Sequence, residues 1–251
     1  MQKYLAIINN KTAAVLLVCL AVTYLCIELD FSFDLNVTLF SIAVIFPLVF
    51  TIRQSFRRRD EIIKLLSVFK SSLNAVYRCF ANIDKLDDSK KLYVAQCLQD
   101  ISRVFLAALQ GKQYDAESVR TRVADLFDLI QNNKAYISNG VALKIIRFIQ
   151  DLEESMENTI GIKTHGSPIS LRAYCLVFIY VFPVIFIPTL VFNMREGDAW
   201  VVYGLSIIHG FILISLYNVQ DHMENPFDQV GLDDINLEDF RFRHQQKETT
   251  A

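Results

Sequence analysis

The 251-residue chain has no metal-binding or redox cysteine pattern: its five cysteines, Cys19, Cys26, Cys79, Cys97 and Cys175, form no Cys-x-x-Cys pair. An odd, dispersed set of this kind gives neither a disulfide framework nor a zinc site, and three of the five lie in apolar runs, where cysteine acts as a small hydrophobe. Only four histidines occur, His165, His209, His222 and His244, and none belongs to an His-Glu-x-x-His motif. There is no glycine-rich phosphate loop and no nucleophile elbow, so no enzyme signature is present. The net charge is only -2, which gives no basic surface for nucleic acid. No strand series and no internal repeat of solenoid length is found.

What the sequence has instead is apolar length. Residues are 53% hydrophobic and 21% charged. Four runs, Ala13 to Ile27, Val37 to Ile52, Ala173 to Phe192 and Ala199 to Tyr217, contain no Lys, Arg, Asp or Glu. A membrane-spanning helix needs about 20 apolar residues, and about 17 suffice. The two later runs meet this length, and the two earlier ones reach it by tilting or by extension. The first run lacks a small-x-small cleavage site before Glu28, so a removable signal is not expected. Lys3 and Lys11 precede the first run, Arg53, Arg57, Arg58 and Arg59 follow the second, and Arg172 precedes the third. Cationic loops stay in the cytoplasm, which predicts that both termini and the middle segment are cytoplasmic. The sequon Asn36-Val-Thr38 then falls outside, as a glycosylation acceptor or as a chance match.

Between the two hairpins the pattern changes. Ile62, Leu65, Leu66, Phe69, Leu73, Val76 and Phe80 recur at helical spacing, and so do Leu92, Ala95, Leu98, Ile101, Phe105 and Leu109. Breaks rich in Gly, Asn and Asp separate these stripes. The expected architecture is an all-α membrane protein with four transmembrane helices. It divides into a first hairpin (1–56), a cytosolic helical block (57–167), a second hairpin (168–219) and an acidic cytosolic tail (220–251).

One row on the second run stands out. Ser41, Val44, Leu48, Ile52, Ser55 and Arg59 follow at intervals of three or four and share one helix face. Phe40, Phe46, Val49, Phe50 and Phe56 lie on the other side. The row reads in two ways. It is either ordinary packing within a bundle or, in a cyclic oligomer, a pore lining. As a lining, Val44, Leu48 and Ile52 make a hydrophobic neck, and Ser41, Ser55 and the cluster Arg57-Arg58-Arg59 make the mouths. Such a cluster attracts anions, although the positive-inside rule places the same residues there. Intramembrane His209 is either a functional group or a bond between helices.

The last run ends in "DHMENPFDQVGLDDINLEDF". The "ENPF" with trailing acidic residues, "GSPISLRAY" before the third run and "FTIRQS" at the end of the second together resemble the bestrophin family of ion channels. The order of two spans, long helical insert, two spans and acidic tail resembles it too. The chain departs in having Asp228 where the family has Gly, and "RRRDEII" in place of an aromatic-rich stretch. The resemblance implies a homopentamer passing chloride or other small anions through a pore lined by the second span. It places the neck on Ile52, Leu48 and Val44, with an alternative register on Phe46 and Phe50. It also implies a calcium clasp, for which Asp228, Asp233, Asp234 and Glu238 are the candidate ligands, with Asp239 beside them. Calcium takes six to eight oxygens, and the alternative is a structural turn at Asn225-Pro226 followed by a short helix that Asp233 or Asp234 caps. No other cofactor is implied. The expected partners are further copies of the chain, the lipid bilayer and small inorganic ions. The alternative function is a non-conducting membrane subunit that anchors a larger complex.

Overall fold

The computed structural model describes residues 8–111, 115–166, 168–194, 198–228 and 234–243. Among them are seven α-helices and no strand: α1 (Asn10–Glu28), α2 (Val37–Ala81), α3 (Asp88–Leu109), α4 (Ala116–Asn132), α5 (Asn139–Thr164), α6 (Ile169–Asn193) and α7 (Ala199–Glu224). A single 3₁₀ turn, Leu237–Phe240, follows. The fold is all-α. Two compact units divide it: one gathers the described residues of 1–59 and 166–234, the other those of 60–165 and 235–251. The final segment therefore splits between the units, with its end belonging to the helical block.

In the first unit, α1, α6 and α7 pack on one another, joined by the first part of α2. Their shared core holds Val15, Cys19, Val44, Leu48, Cys175, Ile179, Phe182, Ile187, Ile214 and Tyr217. Helix α1 starts at a reciprocal cap: Asn9 Oδ1 accepts from Thr12 N at 3.1 Å and Thr12 Oγ1 from Asn9 N at 3.3 Å. The same cap is tied to α7, where Asn218 Nδ2 donates to Thr12 Oγ1 at 2.9 Å. Burying these amides without such partners would cost about 1–3 kcal/mol each. Outside the core, Leu17, Tyr24, Val177, Val184, Ile208 and Ile212 are exposed. Apolar surface of that extent belongs in lipid or against other subunits rather than in water, and the chain is an integral membrane protein.

Five helical segments among the described residues are long and apolar enough to cross a membrane by length and composition. Four carry the runs found in the sequence. The fifth is α3, whose apolar stretch is more than half buried inside the protein.

The second unit packs α3 against α4 and α5 around Phe69, Leu73, Phe80, Leu98, Ile101, Phe105, Leu126, Ile149 and Leu152. Phe69 and Phe105 meet at a ring distance of 4.6 Å. Asp115 and Ser138 cap α4 and α5 by accepting from Ser118 N and Val141 N. An ion-pair set between α3 and α4 joins Asp100 to Arg122 at 3.2 Å and to Arg103 at 2.8 Å. Beside it the Tyr93 hydroxyl donates to Asp125 at 3.0 Å, and that bond pushes the phenol up to about 12. Lys163 Nζ donates to Ala108 O at 2.6 Å, and burial pushes its pKa down.

Residues 237–242 are strapped to this unit. Leu237 and Phe242 are buried, Phe242 N donates to Ser102 Oγ at 3.1 Å, and Lys70 Nζ donates to Asp239 O at 2.6 Å. The expected short helix is present. Its cap is Asn236, whose side chain accepts from Glu238 N at 3.3 Å, rather than Asp233 or Asp234. An asparagine directly before the first helical residue has the reach for this bond, which residues two or three positions earlier do not.

Candidate functional site

Helix α2 is apolar on every side over its first four turns, so burial decides which side does what. Val44 (3% exposed) and Leu48 (1%) lie in the core of the first unit, followed on the same side by Thr51 and Ser55, both buried. Thr51 Oγ1 is 2.8 Å from Leu48 O and 2.9 Å from Gln220 Oε1 on α7. Ser55 Oγ donates to Thr51 O at 3.1 Å. This side of α2 is sealed against α7 and the core. Ile52 is half-buried and packs against the same cluster, and Ser41 is half-buried.

The opposite side is open. Ile42, Ile45, Phe46, Val49 and Phe50 are exposed, and the row continues through Arg53, Phe56 and Arg57, which are exposed too. At 3.6 residues per turn these positions share one face. Phe46 and Phe50 stand 6.0 Å apart, ring to ring. Phe46 and Phe50 are thus on the accessible side, Val44 and Leu48 are on the packed side, and Ile52 is half-buried.

Where α1 and α6 begin and α7 ends, the first unit carries a charged layer. Arg58 Nη1 is 3.0 Å from Glu224 Oε1, with side-chain exposures of 17% and 12%. Arg172 pairs with Asp221 and its Nε lies 4.0 Å from Glu224. Lys11 Nζ is 2.9 Å from Asp221 and 5.1 Å from the Tyr217 ring centre. Two carboxylates on α7 therefore hold three cations from three other helices. Of the expected mouth residues, Arg58 is committed to this layer, Arg59 is half-buried with an interaction of its own, Ser55 is buried, and Arg57 is exposed. The layer was not anticipated from sequence, although the spacing Asp221–Glu224 puts both carboxylates on one side of α7.

Among the described residues no group of three or more His, Cys, Asp or Glu side chains is placed to hold a metal ion. Asp233 lies outside the described residues. Asp228 accepts from Asn225 Nδ2 at 3.2 Å, and the Glu238 carboxylate is matched by Arg241 at 3.1 Å and Arg243 at 3.6 Å. Asp228 and Asp234 belong to the first unit, Glu238 and Asp239 to the second. A carboxylate already neutralised by two guanidiniums is a poor start for an oxygen cage. His209 is half-buried on α7, with Nδ1 2.9 Å from Leu205 O and its ring 4.5 Å from Phe186. Its polar contact is therefore local to α7.

No family model matches the sequence, and no curated protein does. Solved structures do match in three dimensions. A bacterial bestrophin homologue from Klebsiella pneumoniae superposes with a TM-score of 0.76 at 13% identity, over 92% of this chain and 93% of that one. Two further structures of the same homologue give 0.77 at 15% identity over 92% of each chain, and 0.75 at 14% identity over 92% and 93%. The fold is bestrophin-like. The resemblance first carried by "ENPF" and the order of spans thus extends over nearly the whole chain. A bestrophin-like fold accommodates both the membrane helices of the first unit and the helical block of the second.

Proposed function

We propose that the chain is one subunit of an oligomeric ion channel, a homopentamer that passes chloride or other small anions along a central axis lined by α2. The observation that carries this reading is the open face of α2. Each of the other apolar helices of the first unit, α1, α6 and α7, exposes an apolar face that suits lipid or a neighbouring helix. The α2 face combines a greasy row, Ile42, Ile45, Phe46, Val49 and Phe50, with exposed guanidiniums beyond it. Repeated around an axis, the row forms a constriction that resists water, and its cationic end attracts anions. In this reading the neck belongs to Phe46 and Phe50 with their neighbours, and Val44, Leu48 and Ile52 support it from behind.

Four spans, α1, the first part of α2, α6 and α7, cross the bilayer. The block of α3, α4 and α5 stays in the cytoplasm with both termini, because the cations cluster at that end. The buried stripe of α3 is already satisfied by α4 and α5, so α3 needs no lipid. No calcium step enters the reading. The test is flux from liposomes containing the purified chain, together with its mass in detergent. Anion flux from a five-copy particle supports the proposal. A particle that carries no ions favours the non-conducting anchor instead.

A further inference from the structure

We propose that Arg53 selects the charge of the permeating ion; the inference rests on the channel reading given above. Lys11, Arg58 and Arg172 belong to the charged layer of the first unit, and Asp221 and Glu224 hold all three in ion pairs. Arg53 is different. It is exposed, and among the described residues it has no hydrogen-bond or ion-pair partner. The next carboxylates along the chain after it are Asp60 and Glu61, seven and eight positions on.

Arg53 lies four residues after Val49 and three after Phe50, so it continues the open apolar row by one turn on the same face. Arg57 follows one turn later, also exposed and without a partner among the described residues. The sixteen residues from the start of α2 to Arg53 rise about 24 Å, against a hydrocarbon core of about 30 Å. Arg53 is thus the first charge an ion meets after the greasy row, and Arg57 is the second. A guanidinium there stays charged at any pH of interest and offers several donors to an anion. In a ring of copies the charges add within a Debye length of about 8 Å at physiological salt.

A guanidinium at this depth has one other natural partner, the phosphate of an anionic lipid. Reversal potentials across bilayers under a potassium chloride gradient separate the two, with the wild-type chain compared with R53K, R53Q, R53E and R57Q. Arg53 as selector predicts that the wild type and R53K favour chloride. It further predicts that R53Q loses at least about tenfold in the chloride-to-potassium permeability ratio, that R53E prefers potassium, and that R57Q changes the ratio less than R53Q. These shifts should be the same in phosphatidylcholine alone and with added phosphatidylglycerol. A conducting R53E that keeps the wild-type ratio overturns the assignment. So does a ratio that follows the anionic lipid rather than residue 53, which would make Arg53 a headgroup ligand. A wild type that conducts nothing sinks the channel reading itself, a result distinct from either.

Discussion

Among the described glycines Gly210 leaves the least room for a side chain, and replacing it gives a quantitative test of how α1 and α7 meet. A Cβ built on Gly210 falls 2.5 Å from Cys19 Sγ, 3.5 Å from Val15 Cγ1 and 3.8 Å from Cys19 Cβ. Non-bonded heavy atoms settle at about 3.5–4.0 Å, so Gly210→Ala must push Cys19 away by about 1 Å or part the two helices. Opening a packed contact by 0.5–1 Å forfeits about a quarter to a half of its dispersion well, and overpacking of this kind costs about 1–3 kcal/mol. Close approach at small residues is also how membrane helices associate, so lipid offers no compensation. The assay is unfolding in detergent followed by circular dichroism, with the double variant as the control. Removing only Sγ leaves the Cys19 Cβ at an ordinary contact distance. Cys19→Ala should therefore restore stability in the Gly210→Ala background, with a coupling of at least about 1 kcal/mol. A Gly210→Ala chain as stable as wild type, or a double variant that loses the plain sum of two defects, would refute this packing.

Further expectations follow from the two sides of α2 and from the contacts around it. Leu48→Ala should cost about 2–5 kcal/mol because it empties a fully buried site; Phe46→Ala should leave stability within about 1 kcal/mol and raise ion flux instead. Flux that responds to Leu48 and ignores Phe46 and Phe50 would return the neck to the packed row. Glu224→Gln removes the charge facing Arg58 and should destabilise by about 1–3 kcal/mol, between the limits for exposed and buried pairs; thermal melts at low and high salt measure it, and no loss at either would mean the pair is idle. Phe242→Ala withdraws the anchor of the C-terminal strap. Trypsin should then cut at Arg241 and Arg243 sooner while helix content holds, and unchanged cleavage would mean that the backbone bond to Ser102 secures the strap alone.

The helical block was legible because it solves an ordinary problem. Of the stripe on the second half of α2, Ile62, Leu66, Phe69, Leu73, Val76 and Phe80 are buried and Leu65 is half-buried, as helical periodicity in water demands. Leu92 is an exception: it shares the α3 stripe and yet is exposed, at the end of the helix where packing fades. Inside the membrane the same logic loses its grip. Lipid and protein core are equally apolar, so hydrophobicity does not say which side of α2 faces inward. The row Val44, Leu48 and Ile52 and the alternative register on Phe46 and Phe50 both follow helical spacing. The discriminating signal was polar rather than apolar. Thr51 and Ser55 continue the Val44–Leu48 side, and hydroxyls in a spanning helix turn toward protein partners. The large phenylalanines were left on the outside. The charged layer was hidden for another reason, since its members come from four helices far apart in sequence, and only the close packing of α1, α2, α6 and α7 brings them together.

The most direct test is the structure of the purified particle in lipid nanodiscs. Several copies should surround an axis, with Phe46, Val49, Phe50 and Arg53 turned toward it and Val44 and Leu48 turned away. A single protomer, or a particle in which that face of α2 meets acyl chains, would contradict it.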